Sequence, residues 1–286
     1  MNKKTSQTIK IFSLSSIFPI MLCFLLFWPL LSLALQSLID ASGQITFQKY
    51  LEVLTSRHYL KAFLNTANLA VGSTLLALII CIPAAIYIEG KHGRDRRVLS
   101  VALSIPLSLP GIVIGFFVII TFGFTGVVPK LLELITGERR LNFAYTYYGL
   151  LLGYLYFQIP RVILTVRGAV AGISKDVIDS AKTLGASTFQ VYLYVILPTL
   201  RPAIVSAASL SLATGFGAFG TAATLSRGYR VVPLEIAAAF TENFQPKAAG
   251  AMSIILILIS TTILFGISKL TERSKIGKVV KKGAPV

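Results

Sequence analysis

Uncharged apolar stretches recur along this chain with charged segments between them, at 11–35, 62–88, 98–122, 141–160, 202–226 and 248–268. At about 1.5 Å of rise per helical residue, each is long enough to cross roughly 30 Å of hydrocarbon. The apolar character is continuous rather than alternating, which argues against the short two-faced strands of a membrane barrel. The pattern predicts an all-α membrane protein with six transmembrane helices. The first stretch follows Lys3, Lys4 and Lys10 and ends near the small residues of Ser32–Ala34, as a cleavable leader would. Its 25 uncharged residues exceed a usual leader core, so the expectation is a retained first helix.

Composition agrees: 55% of the 286 residues are hydrophobic and 13% charged, far from an ordinary soluble domain. The net charge of +16 would suit a nucleic-acid binder, but its distribution suits a membrane protein. With the loops assigned alternately to two sides, 18 of the 27 lysines and arginines fall on the side of the termini and 9 on the other. By the positive-inside rule both termini are cytoplasmic. Arg161 and Arg167 are counted among the 18 as cytoplasmic loop residues. The basic tail, 271–286, reads as an anchor at anionic lipid, and no nucleic-acid partner is expected.

Charge within the spans would mark proton relays or intramembrane catalysis. All eleven acids fall in predicted loops, ends or tail: Asp40, Glu52, Glu89, Asp95, Glu133, Glu138, Asp176, Asp179, Glu235, Glu242 and Glu272. His58 and His92 are loop residues, and Cys23 and Cys81 sit alone in apolar runs without the spacing of a metal site or disulfide framework. No catalytic residue, metal ligand or bound cofactor is therefore expected. No G-x-x-x-x-G-K-[ST] loop is present, so ATP bound by that route would sit on another subunit.

The longest cytoplasmic loop, 173–198, reads ISKDVIDSAKTLGASTFQVYLYVILP. Ser174 is placed to cap a short helix whose first turns carry Asp176 and Asp179, where the helix dipole favours negative charge. Gly185 permits the positive φ of a sharp exit, and Pro198 and Pro202 are expected to interrupt main-chain bonding as the fifth span begins. Asp179, Ser180 and Ala181, then three residues, Gly185, then nine residues, and Val195-x-Leu197-Pro198 keep the spacing of E-A-A-x3-G-x9-I-x-L-P. In this the chain resembles the permease subunits of binding-protein-dependent ATP-binding cassette importers over about residues 60–270. Aspartate for glutamate, serine for alanine and valine for isoleucine are the departures.

The resemblance implies the type I importer transmembrane fold in a bacterial inner membrane, with 1–60 as N-terminal segment, first helix and first outer loop and 61–270 as the transport domain. It also implies a coupling helix, with Asp179, Ser180, Ala181, Gly185, Leu197 and Pro198 contacting a separate ATPase subunit. The plain alternative is an amphipathic helix lying on lipid. Pairing with a second permease follows, a sister chain being favoured over a second copy. A soluble binding protein would dock on the outer loops 36–61, 123–140 and 227–247, which carry charges of both signs.

For the translocation path, Pro106 and Pro110 predict a kink or partial unwinding in the third span. In the fifth span, Ala207, Ser211 and Gly215 are four residues apart and lead into GFGAFG, containing Gly215, Gly217 and Gly220. Path lining and tight helix packing explain this equally well. Ser209, Thr214, Thr221 and Thr224 offer uncharged hydrogen bonds, while Asn65 and Asn68 are better read as helix–helix partners. The tyrosines at 145, 147, 148, 154 and 156 read as an interfacial belt running into packing rather than a cation cage.

SIPLSLPG and GAFGTAATL resemble the subgroup serving polyamines, phosphonates, sulfate, molybdate or ferric iron, and the polyamine and phosphonate branches are favoured. A secondary carrier independent of ATP is the rival reading, but it leaves the loop spacing unexplained. A membrane assembly protein is the other.

Overall fold

The computed structural model describes the backbone of residues 3–39, 43–91, 93–137 and 143–282, and the side chains among these from 18 to 269. Asp40, His92, Glu138, Arg139 and Arg140 lie outside the described residues, as do the side chains of the 271–286 tail and of Lys3, Lys4 and Lys10. The elements in order are α1 (Lys3–Leu38), α2 (Gln48–Thr55), α3 (Arg57–Glu89), α4 (Gly93–Ser108), α5 (Gly111–Phe122), α6 (Val127–Thr136) and α7 (Tyr147–Val170). They continue with α8 (Lys175–Thr183), α9 (Thr188–Val191), a π-helical turn (Tyr192–Ile196), α10 (Leu197–Phe216), α11 (Phe219–Leu225), α12 (Val232–Thr241) and α13 (Pro246–Lys282). Among the described residues, six helical segments are long and apolar enough to cross a membrane. An even number of crossings leaves both chain ends on one side.

Two compact units form. The smaller holds residues 1–57 and 236–255. In it α1 and α2 are tied by Ser37 and Tyr50, whose hydroxyl oxygens lie 2.6 Å apart. Gly250 of α13 lies against Ser37 and Leu33 of α1, where an added Cβ would fall 2.9 Å from the Ser37 side chain.

The larger unit holds residues 58–235 and 256–286 and is organised around α3, α7 and α10. One face of α3 is buried throughout, with Ala62, Thr66, Ala70, Ser73, Ala77, Cys81 and Ala85 at three- and four-residue spacing. In lipid there is little hydrophobic drive between helices, so small side chains that allow close approach do the work of packing. Two hydroxyls on this face bond back to their own helix, Thr66 to the Ala62 carbonyl and Ser73 to that of Leu69, while the buried Thr74 hydroxyl has no partner among the described residues. Ala77, Cys81 and Ala85 belong to the same cluster as Val162 and Val166 of α7 and Leu200 and Ala207 of α10.

The fourth span differs from its expectation. The apolar run ends at Pro160, but the helix continues to Val170 and carries Arg161 and Arg167 inside it. The two were expected in a cytoplasmic loop. Arg167 is nearly buried and donates to Glu89 at the end of α3 (3.2 Å) and to Ser100 of α4 (2.8 Å). Glu89 also pairs with Arg96 of α4 at 2.5 Å. One carboxylate thus binds the ends of three helices, and Arg167 can remain in the helix because its charge is matched.

Replacing Arg167 with leucine leaves Glu89, about 10% exposed, without its buried partner. The expected loss is at the lower end of about 3–5 kcal/mol, because Arg96 remains. Glu89→Gln combined with Arg167→Gln should recover part of it. A double-mutant cycle on the unfolding of the solubilised chain measures the coupling.

Candidate functional site

Two regions of the larger unit carry the predicted site residues. The first is the loop after α7. Ser174 caps α8 as expected, accepting from the Asp176 amide at 3.2 Å. The helix ends in a Schellman arrangement: Gly185 has φ of +84°, its N–H donates to the Lys182 carbonyl at 2.9 Å, and the Ala186 N–H donates to that of Ala181 at 3.1 Å. Only glycine adopts this φ without strain. Ser187 and Gln190 form a reciprocal cap that starts α9 immediately. The turn is therefore rigid although it is exposed.

Pro198 and Pro202 do not interrupt the helix. A π-helical turn at Tyr192–Ile196, in which the Leu197 N–H reaches the Tyr192 carbonyl, runs α9 into α10 without a break. A proline ring clashes with the carbonyl four residues earlier, here that of Tyr194, and the wider turn is where that crowding is accommodated. Asp179, Ser180 and Gly185 are exposed, and Leu184, Phe189 and Tyr194 are exposed to 88%, 71% and 71%. Leu184, Gly185, Tyr194 and Val195 line one shallow hollow. Leu197 and Pro198 are half-buried at the start of α10.

The second region is a cavity of about 330 Å³ where two helix breaks meet. The helix is interrupted between Ser108 and Gly111, with Pro110 extended (φ −60°, ψ 143°), so the expected third span, 98–122, is divided and the membrane-length segment is Gly111–Thr136; the fifth, Thr188–Phe216, ends at a second interruption before Phe219. Gly111 and Gly220 pack backbone to backbone: a Cβ on Gly220 would meet the Ile112 nitrogen at 3.0 Å. Thr221 donates to the Gly111 carbonyl (3.1 Å) and the Tyr154 hydroxyl to that of Ala218 (3.1 Å), so side chains satisfy carbonyls at the breaks.

Of the residues predicted for the path, Pro106, Gly217 and Gly220 line this cavity together with Thr214 and Thr221. Pro110 is the N-cap of α5. Ser211 and Gly215 lie in helix packing instead. Gln158 of α7 donates to Ser73 (3.1 Å) and to the Ser211 carbonyl (3.4 Å), and a Cβ on Gly215 would touch Ala70 at 3.0 Å. Ser209 faces a separate groove with Leu264 and Ser268, and Thr224 packs on Gly115.

Asn65 donates to the Arg230 carbonyl (2.9 Å), and Asn68 bonds the Tyr229 hydroxyl, so both hold the outer loop in place. Burial, the largest cause, raises the Tyr229 phenol above its ordinary pKa. Tyr147 packs edge-on to Tyr229, and Tyr154 is buried, in keeping with packing, while Tyr145 lies under a cation, Arg227 at 4.6 Å. Among the outer-loop charges, Glu235 is taken up internally, bonded to His58 (2.8 Å) and Arg230 (3.2 Å).

Arg161 escaped the sequence reading. It lies on the cavity wall, beside Phe157 one turn earlier, and its buried Nη1 has no hydrogen-bond partner among the described residues. A charge near a helix centre costs roughly 2.5–3.5 kcal/mol on the insertion scale, and a position of that kind is a functional candidate by default. The signal was present in the sequence: FQIP before Arg161 and VILTV after it keep the apolar run going on both sides.

Six spans, two opposed helix breaks and an exposed, rigidly turned loop after the fourth span define a membrane-embedded transport component rather than an enzyme. Residues 81–276, more than half of the chain, match the family of binding-protein-dependent transport system inner membrane components, and the chain belongs to that family. It is the permease subunit of a binding-protein-dependent ABC importer, located in a bacterial inner membrane.

The chain is similar to the molybdenum transport system permease protein ModB of Mycobacterium tuberculosis, with 26% identity over 238 residues, covering 82% of this chain and 88% of that protein. It is also similar to the sulfate transport system permease protein CysT of Escherichia coli, with 26% identity over 255 residues, covering 88% of each. Its fold matches a chain of the bacterial alginate ABC transporter solved in complex with an alginate pentasaccharide-bound periplasmic protein. That match has a TM-score of 0.79 at 18% identity and covers 96% of this chain and 98% of the other.

Substituting Gly220 with leucine drives a side chain into the Gly111–Ile112 backbone and is expected to destabilise the solubilised protein by about 1–3 kcal/mol. Gly217→Ala should be neutral, because the added Cβ meets only the Ala213 carbonyl oxygen, at 3.8 Å. Thermal unfolding of the two variants side by side checks this.

Proposed function

We propose that this permease imports a tetrahedral oxyanion of the sulfate and molybdate class, driven by a separate ATPase that docks on α8 and the Gly185 turn, and that a second permease completes the pathway. The solute reading rests on the two relatives above, which serve molybdenum and sulfate; this moves the preference within the subgroup away from the polyamine and phosphonate branches. The alginate protein shares only the fold, so its polysaccharide has no bearing on the cargo.

The observation that carries the docking reading is the loop itself. It keeps the E-A-A spacing, and its exposed apolar side chains Leu184, Phe189 and Tyr194 stand on a turn held by two caps. A helix meant to lie on lipid would need no fixed turn beside it. Asp179, exposed on α8, offers a polar contact, and Ala181 and Gly185 allow close approach. A periplasmic or lipid-anchored binding protein would deliver the anion to the outer loops.

Cells carrying the transporter genes are expected to take up labelled sulfate or molybdate, and deletion of this chain should abolish that uptake while spermidine uptake is unaffected. Uptake of spermidine but of neither anion would refute the solute assignment. Gly185→Val places a β-branched residue at φ +84°, and should lower co-purification of the ATPase subunit at least fivefold without lowering the amount of chain in the membrane. Unaltered co-purification and uptake would remove the docking reading. Uptake by vesicles containing this chain alone, without nucleotide, would favour a secondary carrier.

A further inference from the structure

Two arginines lie six residues apart in α7, and their surroundings differ. Arg167 is paired with Glu89 and also donates to Ser100. Arg161 has no carboxylate within ion-pair distance among the described residues, and its buried Nη1 is unpartnered. At about 1.5 Å per residue, Arg161 stands roughly 21 Å along α7 from Tyr147 and roughly 14 Å from Val170, inside the span rather than at its rim.

The space beside it mixes apolar walls, from Leu107, Ile114 and Phe157 among others, with polar groups and exposed backbone. Thr214 and Thr221 supply hydroxyls, and Gly111, Gly217 and Gly220 bring main chain to the surface without side chains. The volume of about 330 Å³ corresponds to about ten waters in the liquid, room for a small anion with part of its hydration shell and too little for a polymer. A guanidinium presents forked donors that match two oxygens of an oxyanion at once.

We infer that Arg161 coordinates the transported anion within the membrane, making the cavity between the two helix breaks a selective binding station on the pathway. The inference rests on the oxyanion reading above and adds to it the residue that recognises the charge. Without an anion the guanidinium is left incompletely paired in the cavity wall; with one, the charge is neutralised where the helices open. The Thr214 and Thr221 hydroxyls already donate to the carbonyls of Leu210 and Gly111, so the guanidinium is the donor that meets the anion. A cationic solute would meet repulsion at this point, and a neutral one would leave Arg161 unmatched.

The test uses the reconstituted transporter with its loaded binding protein, and in parallel the thermal shift of the solubilised chain with sulfate and with molybdate against chloride at matched ionic strength. Arg161→Gln is expected to raise the half-saturating anion concentration of the thermal shift at least tenfold. It should also cut uptake at least tenfold while leaving nucleotide hydrolysis without solute unchanged. Arg161→Lys keeps the charge but loses the fork and should fall between, and it carries the same comparison if the glutamine variant does not accumulate. Lys130→Gln, on the exposed surface of α6, should behave as the parent.

Anion binding and uptake by both Arg161 variants within twofold of the parent would overturn the inference and leave the oxyanion function standing, as for a guanidinium that only reaches lipid headgroups. Failure of the oxyanion reading looks different, because the parental transporter would then take up neither anion. The inference itself also falls if the parental chain shows no saturable shift with either one.

Discussion

A backbone in hydrocarbon must pair its N–H and C=O groups within the protein, and this requirement governs where the chain can leave its helices. It does so at Leu109–Pro110, where the third span begins, and at Gly217–Ala218, where the fifth ends, and the two interruptions come together. Gly111 and Gly220 touch, Thr221 reaches the Gly111 carbonyl and Tyr154 the Ala218 carbonyl. Each break is tolerable because the other is beside it. The same pairing creates the cavity, since chain that turns away from its axis leaves room that side chains do not fill.

Charge follows the same rule of local satisfaction. Glu89, Arg96 and Arg167 form a matched group that joins α3, α4 and α7, and α7 can extend to Val170 with a charge aboard. Only ten residues of α7 lie beyond Pro160, yet they contain both of its arginines. Arg161 has no counter-ion among the described residues, and it lines the cavity at the helix breaks. The two arginines stand about 9 Å apart along α7 and differ in partners as well as in depth.

The sequence made much of this legible. Six apolar runs correspond to six spans, and the Ser174 cap and the Gly185 exit were readable from residue type and spacing, because caps and positive φ are local requirements. The break near Pro110 was readable for the same reason. What could not be read was long-range. Gly215 and Gly220 have the same local pattern, but one meets Ala70 and the other borders the cavity, and only the position of neighbouring helices tells them apart. Arg161 was lost differently: ending the fourth run at its first charge put a membrane residue into a loop. Pro198 and Pro202 suggested an interruption that the π-helical turn avoids, since backbone can widen as well as break.

That widened turn has a mechanical consequence. From Thr188 to Phe216 the chain is one continuous rod of 29 residues, about 43 Å long, with the Schellman turn at one end and the Gly217 interruption at the other. Stiffness is high along the rod and compliance is gathered at its two tips. The rod therefore joins the exposed turn to the cavity, where Gly217 and Gly220 line the same space as Arg161. The extra residue of the π turn also advances every side chain after it by roughly 100° about the axis, so it sets which face of α10 meets α3 and α7.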